Sequence, residues 1–306
     1  MPIGADVSAQ YTEEAVGGGH PTKARVIDRL GLVEHHVDGR HRADLLPIGC
    51  GAYFEYASAT QVRLLKAVAA GLGAGHSFYG DAVPFLDGSG NLYYLRPNGI
   101  ITKDSSGLLA NTVYYVYAYD NAGAVVLELS TTTWSSAELI PTKSGDMTRT
   151  LVGMLRTNGS SQFVNTTQEP LVKSFWNQVP RYGVHDAAGP SHANSTWTQV
   201  CIVYVLSFGA GEPFHAWVHG RNRASGTGTV SGHAIDVDST NIGGTVAMNP
   251  QSEDGEGGNI HTPIAISDVR TNLGAGYHTI QYVSRVVSGA GTIDYGNPSL
   301  FVLFWG

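Results

Sequence analysis

Short strand-like segments separated by glycine-rich turns run from about residue 51 to the end of the chain. Residues 112–119 and 299–305 are runs of β-branched and aromatic residues, which favour strands. Charged residues make up only 14% of the chain, and 39 of the 306 residues are glycine. Low charge with abundant glycine is typical of tightly turned sheets rather than of long solvated helices. The sequence therefore predicts an all-β protein.

The strand-like segments form two groups, which we interpret as two antiparallel β-modules. In the first, residues 49–182, a hairpin is predicted from 112–119 and 124–129 around Asp120-Asn121-Ala122-Gly123, and residues 61–68 fit either a short helix or a strand. In the second, residues 183–306, eight short segments, the last two at 292–295 and 299–305, have the spacing typical of a β-sandwich or jelly roll. The boundary is placed where Gly, Pro, Asp and His cluster, at residues 180–190.

The last strand-like segment, residues 299–305, is apolar without alternation, so both of its faces are predicted to be buried. A chain end of this kind needs cover beyond its own sheet, and a neighbouring subunit would supply it. The predicted subunit-interface residues are Leu300, Phe301, Phe304 and Trp305.

Residues 1–48 differ from the rest of the chain in being dense in charge, with one periodic stretch. That stretch predicts one short amphipathic helix at residues 22–34. Its apolar stripe is Ile27, Leu30 and Val33, and Leu45 and Leu46 follow it. So short a helix buries too little surface to be stable alone, so we expect an extended N-terminal arm that orders on another protein.

Charge and hydropathy exclude two classes of partner. The net charge of −7 gives no electrostatic footprint for nucleic acid, and no apolar run approaches the roughly 18 residues of a membrane helix. No secretory signal is visible at the N-terminus, so we expect the protein to stay in a reducing compartment or to leave the cell by lysis. Cys50 and Cys201 are accordingly predicted to be free and buried.

Several polar clusters invite a chemical interpretation, but each has a simpler structural one. His20, His35, His36 and His41 lack the spacing of a zinc site, and Asp87-Gly88-Ser89-Gly90-Asn91 lacks the distal glutamate of a calcium loop. We interpret them as a solvated segment and a turn, and Glu253-Asp254-Gly255-Glu256 as a solvated loop. No metal, cofactor or catalytic residue is predicted.

One enzymatic alternative stays open, because a pair of carboxylates that hydrolyses glycosides is recognised only by geometry. The candidates are Asp236, Asp238, Asp268 and Glu253. Aromatic residues of the second module are predicted to be core or subunit-interface residues rather than sugar platforms: Trp197, Trp217, Tyr277 and Tyr295.

Three stretches resemble modules of tailed-bacteriophage fibre and virion-appendage proteins. Residues 19–35, with Asp38-Gly39 and His41, look like a virion-anchoring segment. Tyr-Tyr-Val-Tyr-Ala-Tyr at 114–119, followed by 127–132, 145–154 and 157–164, is similar to a β-module that recurs in those proteins. Residues 276–282, 291–293 and 300–302 look like the closing hairpin of trimeric jelly-roll tips.

The resemblance implies a virion structural protein that is assembled in the host cytoplasm as a homotrimer. It implies docking to another virion protein through residues 1–48 and contact with a host surface glycan or protein at the other end. A long fibre would show repeats or heptads, and neither is present, so a short tail fibre, a head fibre or a fibre adaptor is expected. The alternatives are a glycan-degrading tailspike enzyme and a carbohydrate-binding β-sandwich module.

Overall fold

The computed structural model describes residues 49–66, 82–209, 211–224, 229–239, 241–242, 247–250, 262–271, 273–289 and 291–306. Regular structure in these residues consists of strands alone, twenty-one of them and no α-helix. The predicted all-β class is confirmed. The predicted arm and its helix at residues 22–34 lie outside the described residues.

The strands of the first half are short, apart from two that form the centre of its main sheet. They are β1 (Ala52–Ser58), β2 (Gln61–Lys66), β3 (Val83–Leu86), β4 (Leu92–Leu95), β5 (Ile101–Asp104), β6 (Val113–Asn121), β7 (Ala124–Ser130), β8 (Trp134–Ser135), β9 (Thr142–Lys143), β10 (Asp146–Arg156) and β11 (Val172–Ser174).

The strands of the second half include four of eleven residues or more. They are β12 (Pro180–Asp186), β13 (Ser191–His192), β14 (Thr198–Phe208), β15 (Phe214–Ala224), β16 (Val230–Val237), β17 (Asn241–Ile242), β18 (Ala247–Pro250), β19 (Thr262–Arg270), β20 (Ala275–Ser288) and β21 (Ile293–Trp305).

Antiparallel pairing organises the first half into a main sheet and two smaller ones. The first-module sheet has the order β7-β6-β10-β9-β8, with β11 also paired to β10. The other two are the three-stranded sheet β1-β2-β5 and the hairpin β3-β4. The predicted hairpin is β6-β7, and its two turn residues, Ala122 and Gly123, have φ of 53° and 88°. Two successive positive φ angles define the turn that matches the twist of a β-hairpin.

The second half is a jelly roll, as its strand order shows. The outer sheet has the order β12-β21-β15-β19, and the inner sheet has the order β14-β20-β16, with β17 and β18 paired to β16. Without the two-residue strands β13 and β17, this half has eight main strands. When these are numbered 1 to 8 along the chain, with β18 as strand 5, the outer sheet has the order 1-8-3-6 and the inner sheet has the order 2-7-4-5. Two interlocked Greek keys produce this order. The predicted β-sandwich is therefore confirmed.

Three apolar cores separate four successive layers of sheet. One lies between the smaller sheets and the first-module sheet and contains Phe54 and Val116. The second joins the opposite face of the first-module sheet, through Tyr117 and Met154, to Phe208 of the inner sheet. The third fills the jelly roll between the inner and outer sheets. Because each internal layer contributes side chains to cores on both of its faces, its strands lack simple polar–apolar alternation.

β21 corrects one sequence interpretation. Residues 292–295 and 299–305 were predicted as separate strands, but they form one strand paired to β15 on both sides of a bulge. Asn297 adopts φ 47° at the bulge, and the Pro298 Cα lies 2.8 Å from where a Cβ would stand on Gly220. Glycine at position 220 thus lets the two strands stay paired past an irregular Gly-Asn-Pro sequence.

The structure decides one of the other local predictions and leaves another open. Residues 61–66, which fitted either a helix or a strand, are strand. Within the stretch 157–164, Phe163 and Thr157 form an isolated bridge. The division between modules at 182/183 falls within β12, which belongs to the outer sheet. That division stays a prediction.

Both cysteines are free and buried, as predicted. Burial raises the pKa of the Cys50 and Cys201 thiols to about 12 in each case. Such thiols are inert packing groups at neutral pH, since the reactive thiolate form is suppressed.

Gly153 in β10 provides a test of the core beneath the first-module sheet. A methyl group at this position would overlap the Phe54 ring and lie 2.8 Å from the Lys173 carbonyl oxygen. We expect Gly153→Ala to lower the free energy of unfolding by about 2 kcal/mol, measured by chemical denaturation. Gly88→Ala, where no atom lies within 4 Å of the added carbon, is the matched control. Equal effects of the two substitutions would contradict close packing at Gly153.

Candidate interaction surface

The jelly roll leaves one surface of the outer sheet without a further layer in the described residues, and we call this surface the outer face. Strand alternation defines it, because Leu300, Val302 and Phe304 of β21 point into the core. Its fourteen side chains come from four strands: Pro180, Tyr182, Val184, Asp186, His215, Trp217, His219, Ala265, Ser267, Val269, Ser299, Phe301, Leu303 and Trp305.

Strand register arranges these side chains in rows across the sheet. One complete row is Tyr182, Leu303, His215 and Val269. The exposed fractions of its three non-histidine side chains are 65%, 40% and 62% in the same order. Trp305, 43% exposed, lies beside Pro180 at one end of the face. Large apolar side chains are thus exposed in contiguous positions rather than singly.

The next row contains Val184, Phe301, Trp217 and Ser267. The Trp217 and Phe301 rings are nearly parallel, with an interplanar angle of 8° and centroids 5.5 Å apart. This separation is close to the spacing of neighbouring strands, about 4.8 Å. The rings therefore stack on each other across neighbouring strands, and each ring covers one plane of the other.

Formal charge is nearly absent from the outer face. Of its fourteen side chains, Asp186 alone carries a formal charge at neutral pH, with His215 and His219 counted as neutral. The face ends at the bulge, beyond which Arg221, Arg223 and Asp294 continue the same side of the sheet. A solvent-facing sheet normally carries charged and polar side chains on its open side. The outer face has instead the composition of a contact surface.

The structure divides the predicted interface residues between two locations. Phe301 and Trp305 lie on the outer face, whereas Leu300 and Phe304 are 0% and 5% exposed and belong to the jelly-roll core. In the single chain, residues 299–305 are buried on one face of the strand and more exposed on the other, so burial of both faces requires the predicted neighbouring subunit and stays a prediction. Because every residue from 300 to 305 is apolar, sequence alternation gave no indication of which side chains point inward. Five further residues of the outer face were not among the predicted interface residues: Tyr182, Val184, His215, Val269 and Leu303.

The predicted docking residues cannot be placed on any surface, since Ile27, Leu30, Val33, Leu45 and Leu46 lie outside the described residues. The other aromatic candidates lie away from the outer face. Tyr295 is in the jelly-roll core, and Tyr277 stacks on Tyr204 between the first-module sheet and the inner sheet. Trp197 lies under the Arg285 guanidinium, 4.6 Å from ring centroid to Cζ.

A buried polar network crosses the jelly-roll core. The Tyr282 hydroxyl and His233 Nδ1 form a hydrogen bond of 2.8 Å, and His233 Nε2 lies 2.8 Å from Ser231 Oγ. Burial is the main cause that lowers the pKa of His233 to about 4, and the nearby His192 contributes a smaller shift in the same direction. Burial raises the pKa of Tyr282 well above its ordinary value. The network therefore holds a neutral imidazole and a neutral phenol at neutral pH.

A second part of the network contains a serine and a histidine in contact. Ser284 Oγ lies 2.6 Å from His192 Nε2 and accepts a hydrogen bond from the Tyr295 hydroxyl. A nucleophilic serine needs a neighbouring base and also access for its substrate. Ser284 is fully buried, which favours a structural role for this pair.

The carboxylates considered for glycoside hydrolysis are not gathered at one open site among the described residues. Asp236 is buried, Asp238 contacts His278 Nδ1 and Thr279 N at 2.8 Å each, and Asp268 forms an ion pair with Arg270 at 2.8 Å. Glu253 lies outside the described residues.

The described part of the chain contains no group of three or more His, Cys, Asp or Glu side chains arranged to hold a metal ion. Asp87 accepts hydrogen bonds from the backbone N–H groups of Ser89 and Asn91, and so forms the predicted turn. Among the same residues, no helix is long and apolar enough to cross a membrane.

Comparison with known proteins adds little to this description. No protein-family model and no curated protein matches the chain. Among solved structures, dimeric latent PorU from Porphyromonas gingivalis is 9% identical, with a TM-score of 0.29, over 66% of this chain and 20% of that one. The infectious bursal disease virus Gx strain structure is 13% identical, with a TM-score of 0.29, over 74% of this chain and 63% of that one.

A third similar structure is the insecticidal delta-endotoxin Cry8Ea1 from Bacillus thuringiensis, 8% identical, with a TM-score of 0.27, over 82% of this chain and 51% of that one. The chain thus spans less than two thirds of the length of each of these three chains. Likeness at this level includes viral and bacterial β-proteins alike and assigns no function.

Proposed function

We propose that this protein is a structural component of a bacteriophage virion, a short fibre or fibre adaptor. Its N-terminal arm docks to the particle, and its β body assembles as a homotrimer that contacts the host surface. The observation that carries the proposal is the jelly-roll body with large exposed apolar side chains in adjacent positions on its outer face. A body of this kind suits a protein that works as several identical copies in contact.

The fold by itself leaves the class of function open. Jelly rolls occur in viral capsid proteins and in lectins, so this topology is compatible with the proposed role and with a carbohydrate-binding module. The resemblance of residues 19–35 to a virion-anchoring segment favours the virion role, since a carbohydrate-binding module needs no such arm. The local contacts of Asp238 and Asp268 favour a structural protein over a glycan-degrading enzyme.

The arm is tested by substitution in the full chain. We expect a variant with Ile27→Asp, Leu30→Asp and Val33→Asp to be absent from purified particles, because three charges on one apolar stripe prevent its burial against a partner. The measurement is quantitative immunoblotting of virions produced with each variant supplied in trans. Arg29→Ala, which leaves the stripe intact, is expected to be incorporated at the wild-type level. Normal incorporation of the triple variant would contradict docking through this stripe.

The enzymatic alternative has a direct assay. Incubation with host capsule, lipopolysaccharide and peptidoglycan is expected to release no fragments. Reproducible cleavage that is lost in Asp236→Asn or Glu253→Gln would instead establish the tailspike alternative.

A further inference from the structure

We infer that the outer face is the surface through which one copy of this chain contacts a second copy. The inference concerns self-association alone, and it holds or fails independently of the virion role. It differs from the predicted homotrimer, because a face that contacts the same face of another copy makes a two-fold pair. It also assigns the contact to one side of one sheet, made by β12, β21, β15 and β19.

The first argument comes from the way the body is built. Each of the three internal spaces between sheet layers is filled by apolar side chains from both sides. The outer face continues this pattern with one side missing, since Tyr182, Val269, Leu303 and Trp305 are between 40% and 65% exposed. A fifth layer supplied by another copy would bury the same kinds of side chain that the other layers bury.

The second argument is size. Four strands and about seven positions along β21 give a face of roughly 20 by 25 Å with side-chain overhang, on the order of 500 Å². Two such faces in contact remove about 1,000 Å² from solvent, which is the lower limit for a specific interface. The largest exposed apolar patch on a typical monomer is about 300–600 Å² and is often a binding surface, so a face of this extent is a candidate for one.

The third argument is charge, which favours an uncharged partner surface over a strongly charged one. The fourteen side chains of the face carry one formal charge, Asp186 at one corner. Arg221, Arg223 and Asp294 lie past the bulge at its edge, where Arg223 and Asp294 pair with each other at 2.9 Å. A neutral face paired with its own copy brings together no like charges across most of its area. Self-association is therefore free of the repulsion that a charged sheet would meet.

The stacked rings disfavour a glycan as the occupant. A sugar packs on the open plane of an aromatic ring, but Trp217 and Phe301 stack on each other, so one plane of each ring is covered. The His215 ring also lies beside Trp217, with ring centroids 5.2 Å apart. Aromatic and aliphatic side chains together interdigitate well with another sheet, where centroid distances of 4.5–7 Å and tilted rings are favoured.

The test is the mass of the full-length protein in solution, measured by light scattering at micromolar concentration. We expect the wild-type protein to be an oligomer, and we expect Leu303→Glu and Val269→Glu each to reduce the mass to that of the 32.4 kDa chain. Both side chains are exposed in the single chain, so the substitutions should leave the circular dichroism spectrum unchanged. Leu139→Glu, at a first-module position that is 65% exposed, is the matched control and should stay oligomeric.

Each outcome decides the inference. A monomeric wild-type protein overturns it, and so does an oligomer that both face variants retain. If the oligomer is lost when residues 1–48 are deleted but is retained by the face variants, the contact is made by the arm and not by the outer face. Binding of a glycan by a monomer, abolished by Leu303→Glu, would make the face a sugar site instead. A dimer sensitive to both face substitutions would support the outer face while contradicting the homotrimer of the proposed function.

Discussion

Replacing Glu212 with alanine is expected to lower the free energy of unfolding by about 3 kcal/mol, because it leaves a buried ammonium group without its counter-charge. Lys173 of β11 is 3% exposed, and its Nζ donates to Glu212 Oε2 at 2.8 Å and to the Leu206 carbonyl oxygen at 3.3 Å. Burial lowers the pKa of Lys173, with Glu212 opposing that shift. Glu212 also accepts from the Phe208 backbone N–H at 2.8 Å, so its loss affects both partners of the contact between sheets.

Urea denaturation of three variants separates charge from packing at this contact. Glu212→Gln keeps a side chain that can accept from Phe208 N but removes the charge, so it should be destabilising as well. The double variant Lys173→Met with Glu212→Gln removes both charges and should recover most of the lost stability. If the double variant is as unstable as Glu212→Ala, the cost arises from lost hydrogen bonds and not from the unpaired ammonium group.

Acidification is expected to destabilise the body through His233. The imidazole is buried, and its pKa falls from an ordinary 6.5 to about 4 in the folded protein. Between pH 6.5 and pH 4 the unfolded chain therefore binds a proton that the folded chain does not. The stabilisation is fully present above pH 6.5 and is lost as the pH falls toward 4. A shift of this size corresponds to about 3 kcal/mol.

The measurement is the free energy of unfolding as a function of pH in the wild type and in His233→Gln. The variant should be less stable at pH 7, since it disrupts the contact with the Tyr282 hydroxyl, but its stability should fall less steeply between pH 6.5 and 4. Burial also lowers the pKa of His192, so part of the wild-type slope will persist. His219→Gln, on the exposed outer face, removes a histidine without touching the network and is the control. An unchanged slope in His233→Gln would contradict this origin of acid sensitivity.

The all-β class and several local elements could be predicted because they depend on neighbouring residues. The β6-β7 hairpin follows from two β-prone runs and an Asp-Asn-Ala-Gly turn, and Asp87 forms its turn with residues no more than four positions away. Free, buried cysteines followed from their number and distance in the sequence. Such features need no knowledge of the partner strand.

Only the tertiary structure decided which side chains form the outer face and which form the core. Residues 300–305 are uniformly apolar, so the sequence could not tell Phe301 and Trp305, which face outward, from Leu300 and Phe304, which are buried. Their neighbours on the face, Tyr182 and His215, come from strands that lie about 90 to 120 positions earlier in the chain. Strand register sets the side of a sheet on which a residue lies, and a shift of one position reverses it. In the jelly roll that register is fixed by long-range pairing and by the bulge at Asn297, and neither is visible in the local pattern of residues.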